Sequence, residues 1–172
     1  MKTATSVMHV VFSPDSRHLL MDGKDRTVFV YSLTAAAAAP AAVTVKLVRR
    51  LSPPPSGAAG ADKLRLRPTF GGKGYKFVAM GSTSGSVRIW HWASGQVVTR
   101  LPAHSSAVQC VAWSPVDTQL MVSVSDDATV RVWTTPVAAA AVRTACGRDA
   151  TTAVDDTVAA VANAHVGDTA AA

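Results

Sequence analysis

The strongest constraint on this chain is a short phrase that it uses three times. Apolar residues alternate up to an aromatic in Val28-Phe29-Val30-Tyr31, Val87-Arg88-Ile89-Trp90 and Val130-Arg131-Val132-Trp133. A period of two is the period of a β-strand, with Val and Ile on one face and Arg88 or Arg131 on the other. Upstream of the later copies lie further short apolar runs, Phe77-Val78-Ala79-Met80 and Leu120-Met121-Val122-Ser123. The turns between them, Thr83-Ser84-Gly85-Ser86 and Asp126-Asp127-Ala128-Thr129, hold the small and Asx-type residues that tight hairpins accept. Further upstream again, Met8 to Phe12 and Val108 to Trp113 each run into Ser-Pro, where proline removes a ladder donor and ends the strand.

The spacing of the copies gives the architecture. Trp90 and Trp133 stand 43 positions apart, the length of one four-stranded propeller blade. Tyr31 and Trp90 are 59 apart, and the excess coincides with an Ala/Pro/Gly-rich stretch read as an insertion. The reading is therefore all-β, a partial β-propeller of about three blades followed by a low-complexity tail. Its expected parts are a degenerate blade at 1–34, the insertion at 35–62, a second blade at 63–100, a complete repeat at 101–136 and an Ala-rich disordered tail at 137–172. Three blades cannot close a ring, which takes four to eight. Open sheet faces and unpaired edges aggregate. Residues 1–136 alone are expected to be insoluble or oligomeric, and the remaining blades or another chain are needed for closure.

Composition narrows the class. The chain has 172 residues, Lys+Arg 17 against Asp+Glu 11, and a hydrophobic share of 48%. Much of that share is alanine in runs broken by charge or proline, so no stretch reaches the roughly 20 apolar residues of a membrane helix. The region before Pro14 is too weakly apolar for a secretory signal. A protein without membrane association, cytoplasmic and/or nuclear, is expected. Cys110 and Cys146 are too few for a disulfide framework and have no zinc spacing. His9, His18, His91 and His165 show no ligand spacing either, so neither metal nor cofactor is expected.

Residues 101–133 resemble one complete WD repeat (the WD40 family). In that family a His entering the blade, a Ser or Thr on the second strand, an Asp in the next turn and a Trp on the third strand form a buried hydrogen-bonded tetrad. The resemblance implies His104, Ser123, Asp127 and Trp133 in those places, as structural residues. Each such group is costly buried alone and tolerable once they satisfy one another. The other copies depart from the pattern. The middle one has Ser84 at the turn, Met80 on the second strand and no His. The first has Asp25 for the turn, Tyr31 as the aromatic and a second strand that reads one residue short. Both are expected to rely on packing alone.

A closer resemblance covers roughly residues 46–133. Phe70-Gly71-Gly72, Phe77 to Ser82, Ile89-Trp90-His91, Val108 to Pro115 and Ser123 to Trp133 are similar to the C-terminal blades of the WD-repeat subunit of the CTLH/GID ubiquitin ligase. Leu47 to Leu51 fits the strand that precedes Phe-Gly-Gly there. The resemblance implies a non-catalytic protein-interaction scaffold that recruits substrates or organises assembly. The alternative is a generic WD40 scaffold in RNA processing or trafficking. No Trp-Asp-x-Arg box follows Trp90 or Trp133, which disfavours a cullin-4 adaptor role.

Eight cations, Lys46, Arg49, Arg50, Lys63, Arg65, Arg67, Lys73 and Lys76, face one acid, Asp62, in the stretch 46–76. They form a candidate patch for an acidic partner, set against the simpler reading of a solvated loop and blade edge. Phe70, Tyr75 and Phe77 suit blade packing better than base stacking, so nucleic acid is not the expected partner. Gly71 to Lys76 lacks the spacing and following helix of a phosphate loop. Cysteine with a neighbouring base, a metal cluster and a carboxylate pair are all missing from the pattern, so no catalysis is expected.

Overall fold

The computed structural model describes residues 6–25, 27–36, 39–52, 66–102 and 104–134. They form eleven strands and one short 3-10 turn, Lys73–Tyr75. The first sheet is an antiparallel meander of β1 (Val7–Phe12), β2 (His18–Gly23), β3 (Val28–Ala36) and β4 (Ala39–Leu51). The second repeats that order in β5 (Thr69–Gly71), β6 (Phe77–Gly81), β7 (Ser86–His91) and β8 (Gln96–Pro102). The third has β9 (Val108–Trp113), β10 (Met121–Ser125) and β11 (Val130–Trp133), with β10 in the middle. Nearest-neighbour hairpins of this kind need only short turns, which the sequence supplies.

Register makes the three sheets equivalent. Trp113, Met121 and Trp133 form one cross-strand row. Phe70, Val78, Trp90 and Val97 form the same row in the second sheet, and Phe12, Leu19, Tyr31 and Leu47 in the first. Paired residues share a face, so each sheet has an aromatic face and a reverse face. The aromatic face of the second sheet, with Phe70, Val78, Met80 and Trp90, packs on Leu20, Val28, Val30 and Leu51 from the reverse face of the first. Val111, Met121 and Trp133 of the third sheet pack on Ala79, Val87, Ile89 and Leu101 of the second in the same way. Phe77 stacks on Trp113 across that seam, centroids 6.5 Å apart and planes at 17°. The core therefore lies between sheets rather than inside one, as in a repeat array.

Two glycines fix close approaches. A Cβ at Gly71 would run into the Trp113 ring. Gly85 has φ +77°, and a Cβ there would meet the His104 carbonyl oxygen, so both space and backbone conformation require glycine.

The structure differs from the sequence expectation in three places. The strand that the resemblance implied at Leu47 to Leu51 is the end of a longer β4, which begins at Ala39 inside the stretch read as an insertion, and the β3–β4 ladder runs out to Ala36 opposite Ala39. Alanine is a weak strand former, but a ladder already set by Val28 to Leu33 carries it. The second strand of the first sheet is six residues long, not short, because Asp22 and Gly23 continue the pairing despite their low strand propensity. The third sheet has three strands among the described residues, leaving β11 at its edge. The expected tail at 137–172 lies outside the described residues.

Candidate functional site

The β8–β9 loop, β10, the β10–β11 turn and β11 bring His104, Ser123, Asp127 and Trp133 together. Ser123 faces inward on β10 because its neighbours in register, Val111 and Arg131, share the aromatic face. Trp133 Nε1 donates to Ser123 Oγ at 2.9 Å, and His104 Nε2 lies 2.8 Å from the same oxygen. On the other side of the imidazole, Nδ1 is 3.0 Å from Asp127 Oδ2 and 3.0 Å from Thr129 Oγ1. Asp127 also accepts from the backbone N–H groups of Ser105 and Thr129, each at 3.0 Å, and from the Thr129 hydroxyl at 2.6 Å. The Thr129 hydroxyl first, together with these N–H groups and His104, holds the Asp127 carboxyl well below the usual carboxylate range against an opposing effect of burial. Every polar atom in this chain of bonds is matched, and Ser123, His104 and Trp133 are buried, so the network fixes the β8–β9 loop against β10 and β11. Thr129 is a fifth member, signalled by the Asp-x-Thr spacing that also makes the Asx turn.

The second sheet has a different polar device, which the sequence reading missed. Arg100 on β8 donates from Nε to Ser86 Oγ at 2.9 Å and from Nη2 to Ser84 Oγ at 3.0 Å. Ser82 and Ser84 hydroxyls are 2.8 Å apart. Its signal was the alternation Ser82-x-Ser84-x-Ser86 at a turn with a cation on the next strand. In the first sheet, Asp25 Oδ1 accepts the Thr27 N–H at 3.2 Å, the same Asx turn as at Asp127. Asp22 is buried on β2 opposite His9. Burial first, then the charge of Asp25, pushes the Asp22 carboxyl up to about 7. Burial, and then the Arg67 charge, lowers His9.

The described basic residues make separate contacts. Arg49 Nη2 donates to the Ala93 carbonyl oxygen at 2.5 Å, tying β4 to the β7–β8 turn. Arg50 lies over Phe29, 5.7 Å from its centroid. Arg67 runs beside β9, with its N–H 3.4 Å from the Gln109 carbonyl oxygen. Lys46 is exposed on β4, and Lys73 and Lys76 are exposed around the 3-10 turn. Lys63 and Arg65 lie outside the described residues. Cys110 is a free, half-buried thiol, and no described helix is long and apolar enough to cross a membrane.

The comparisons agree with this geometry. The family model described as "WD domain, G-beta repeat" matches residues 2–32 and 95–134. A WD repeat-containing protein 26 homolog of Arabidopsis thaliana is 44% identical over 68 residues, 40% of this chain and 12% of that protein. GID complex subunit 7 of Schizosaccharomyces pombe is 31% identical over 129 residues, 75% of this chain and 23% of that protein. The chain thus spans less than a quarter of the length of these curated relatives. Among solved structures, U3-55K superposes with a TM-score of 0.57 at 20% identity, over 78% of this chain and 37% of that one, a likeness of fold. The chain is a WD40-repeat protein, and its described residues build three successive sheets of an incomplete β-propeller.

Proposed function

We propose that the chain is a non-catalytic protein-interaction scaffold of a CTLH/GID-type ubiquitin ligase, where its blades recruit substrates or organise assembly. The observation that carries this reading is the similarity to GID complex subunit 7 across three quarters of the chain. Local structure adds to it. Phe70 and Gly71, the start of the Phe-Gly-Gly phrase, sit in the seams between sheets: Phe70 packs in the first, and the Trp113 ring closes over Gly71 in the second. The phrase is thus a packing requirement of successive blades. His104, Ser123, Asp127 and Trp133 of the third sheet bond to one another, which supports reading them as structural and the surfaces as the working part. A cytoplasmic and/or nuclear setting follows from that assignment.

Affinity purification of the tagged full-length chain from its native cells tests this. Recovery of RING subunits of a CTLH/GID ligase in stoichiometric amount is expected. Recovery of ribonucleoproteins or trafficking coats without those subunits would instead assign it to another WD40 complex.

A further inference from the structure

Where the first and second sheets meet, one edge of the seam carries aromatic rings that the core leaves half-buried. His18 begins β2, and its register row, His18, Ser32 and Lys46, lies on the face of the first sheet that packs on the second. The His18 ring reaches Trp92, just past β7, with centroids 4.6 Å apart and planes at 52°. Phe70 meets the same indole edge-on at 6.4 Å. Trp92 Nε1 donates to the Tyr75 carbonyl oxygen at 2.8 Å, and the Trp92 backbone N–H to the Lys76 carbonyl oxygen at 3.2 Å. Tyr75 stands at φ 55°, a region that bulky residues rarely adopt, and the indole bond helps to hold the 3-10 turn in that shape. His18, Tyr75 and Trp92 all keep part of their surface in solvent.

Cations surround these rings. Lys46 continues the row of His18, and Arg49 shares its face, with its bond to the Ala93 carbonyl oxygen bringing it beside Trp92. Lys73 and Lys76 flank Tyr75, Arg17 precedes His18, and all five are exposed. In the segments that meet here, 13–18, 46–49, 72–76 and 92–95, the one acid is Asp15. Its carboxyl already accepts from the Ser13 hydroxyl and the Arg17 N–H. Asp22 and Asp25 lie at the other end of β2, and Asp117 belongs to the β9–β10 turn of the third sheet. We infer that this edge docks an acidic segment of a partner protein, with an apolar side chain set against Trp92, Tyr75 and His18 and its carboxylates facing the cations. Trp, Tyr and Arg are the side chains that anchor protein interfaces, and charge of one sign around them steers a partner of the other. A nucleic-acid strand instead needs rings with free faces for its bases. Trp92 is already met by His18 and Phe70, and its indole N–H is taken.

The inference rests on the interaction-scaffold reading but not on the ligase assignment, and its test uses no ligase subunit. A fluorescently labelled, glutamate-rich peptide with one central phenylalanine is titrated with the full chain and followed by anisotropy. Saturable binding that weakens as salt rises is expected. The same peptide with alanine in place of phenylalanine should bind at least about tenfold more weakly, because the apolar anchor is gone. Lys76→Glu should weaken binding about fivefold or more, whereas Arg50→Glu, the same charge change on the opposite face of β4, should leave it within about twofold. Both positions are exposed, so unchanged β-type circular dichroism checks that the variants fold. Absence of saturable binding, equal binding of the alanine peptide, a loss at Arg50→Glu as large as at Lys76→Glu, or tighter binding of a single-stranded oligonucleotide than of the peptide would each overturn the inference.

Discussion

Trp133 Nε1 donates to Ser123 Oγ at 2.9 Å, and both side chains are fully buried in the third sheet. One hydroxyl oxygen thereby serves two donors or partners at once, since His104 Nε2 is 2.8 Å away on its other side. Removing it leaves an indole N–H and an imidazole nitrogen without a partner and with no access to water. Ser123→Ala is expected to destabilise the chain by about 1–3 kcal/mol. Urea unfolding followed by tryptophan fluorescence measures this. Val116→Ala, at a position 91% exposed, should change stability by less than about 0.5 kcal/mol.

Asp127 gives the acid side of the stability profile. Its folded pKa lies below that of the unfolded chain, so its contribution is complete above about pH 4, where an unfolded carboxyl is ionised. The contribution is lost as pH falls from there toward the folded value. Asp127→Asn should lower stability at pH 6 and flatten the fall between pH 4 and pH 2, read from thermal midpoints across that range.

Asp22 acts in the opposite direction. Its folded pKa of about 7 lies above the ordinary carboxyl value of 3.8. Between those limits the folded state holds a proton that the unfolded state has released, so stability declines as pH rises from about 4 to 7. Asp22→Asn removes the cost of ionising a buried group. Its thermal midpoint should match the parent near pH 4 and exceed it increasingly up to pH 8.

Ala128 stands in the turn between β10 and β11 with φ 61°. An L-residue in that region costs roughly 1–2 kcal/mol, and glycine does not incur that cost but loses more chain entropy on folding. Ala128→Gly should stabilise by about 0.5–1 kcal/mol in urea titration, and Ala128→Val should destabilise.

Legibility in the sequence followed the physics of each element. Val130 to Trp133 was readable because alternation, a terminal aromatic and a repeat distance all point to a strand. His104, Ser123 and Asp127 were readable through the resemblance to a WD repeat, and the mutual need of buried polar groups gives that assignment its physical sense. The start of strand β4 was not readable, since the run Ala39 to Ala42 carries no strand preference of its own and Ala39 and Val43 are placed by their pairing with Ala36 and Ala35 of β3. The bonds from Arg100 to Ser84 and Ser86 were missed because a long cation on an edge strand ordinarily only meets solvent. The basic stretch looked continuous along the chain, yet Arg49 and Arg50 are on opposite faces of β4: Arg50 pairs with Phe29, and the next position, Arg49, with Val30. One residue of shift in a strand reverses the face.

The central claim is that three sheets stack face to face, so only the middle one is covered on both sides. Amide hydrogen exchange resolved by strand tests it most directly, because protection tracks local burial and cooperativity. The amides of β7, Ser86–His91, which include the fully buried Val87, Ile89 and Trp90, should exchange most slowly, with β1 and β11 faster. Exchange of β7 as fast as β1 or β11 would contradict the stacking and the account built on it.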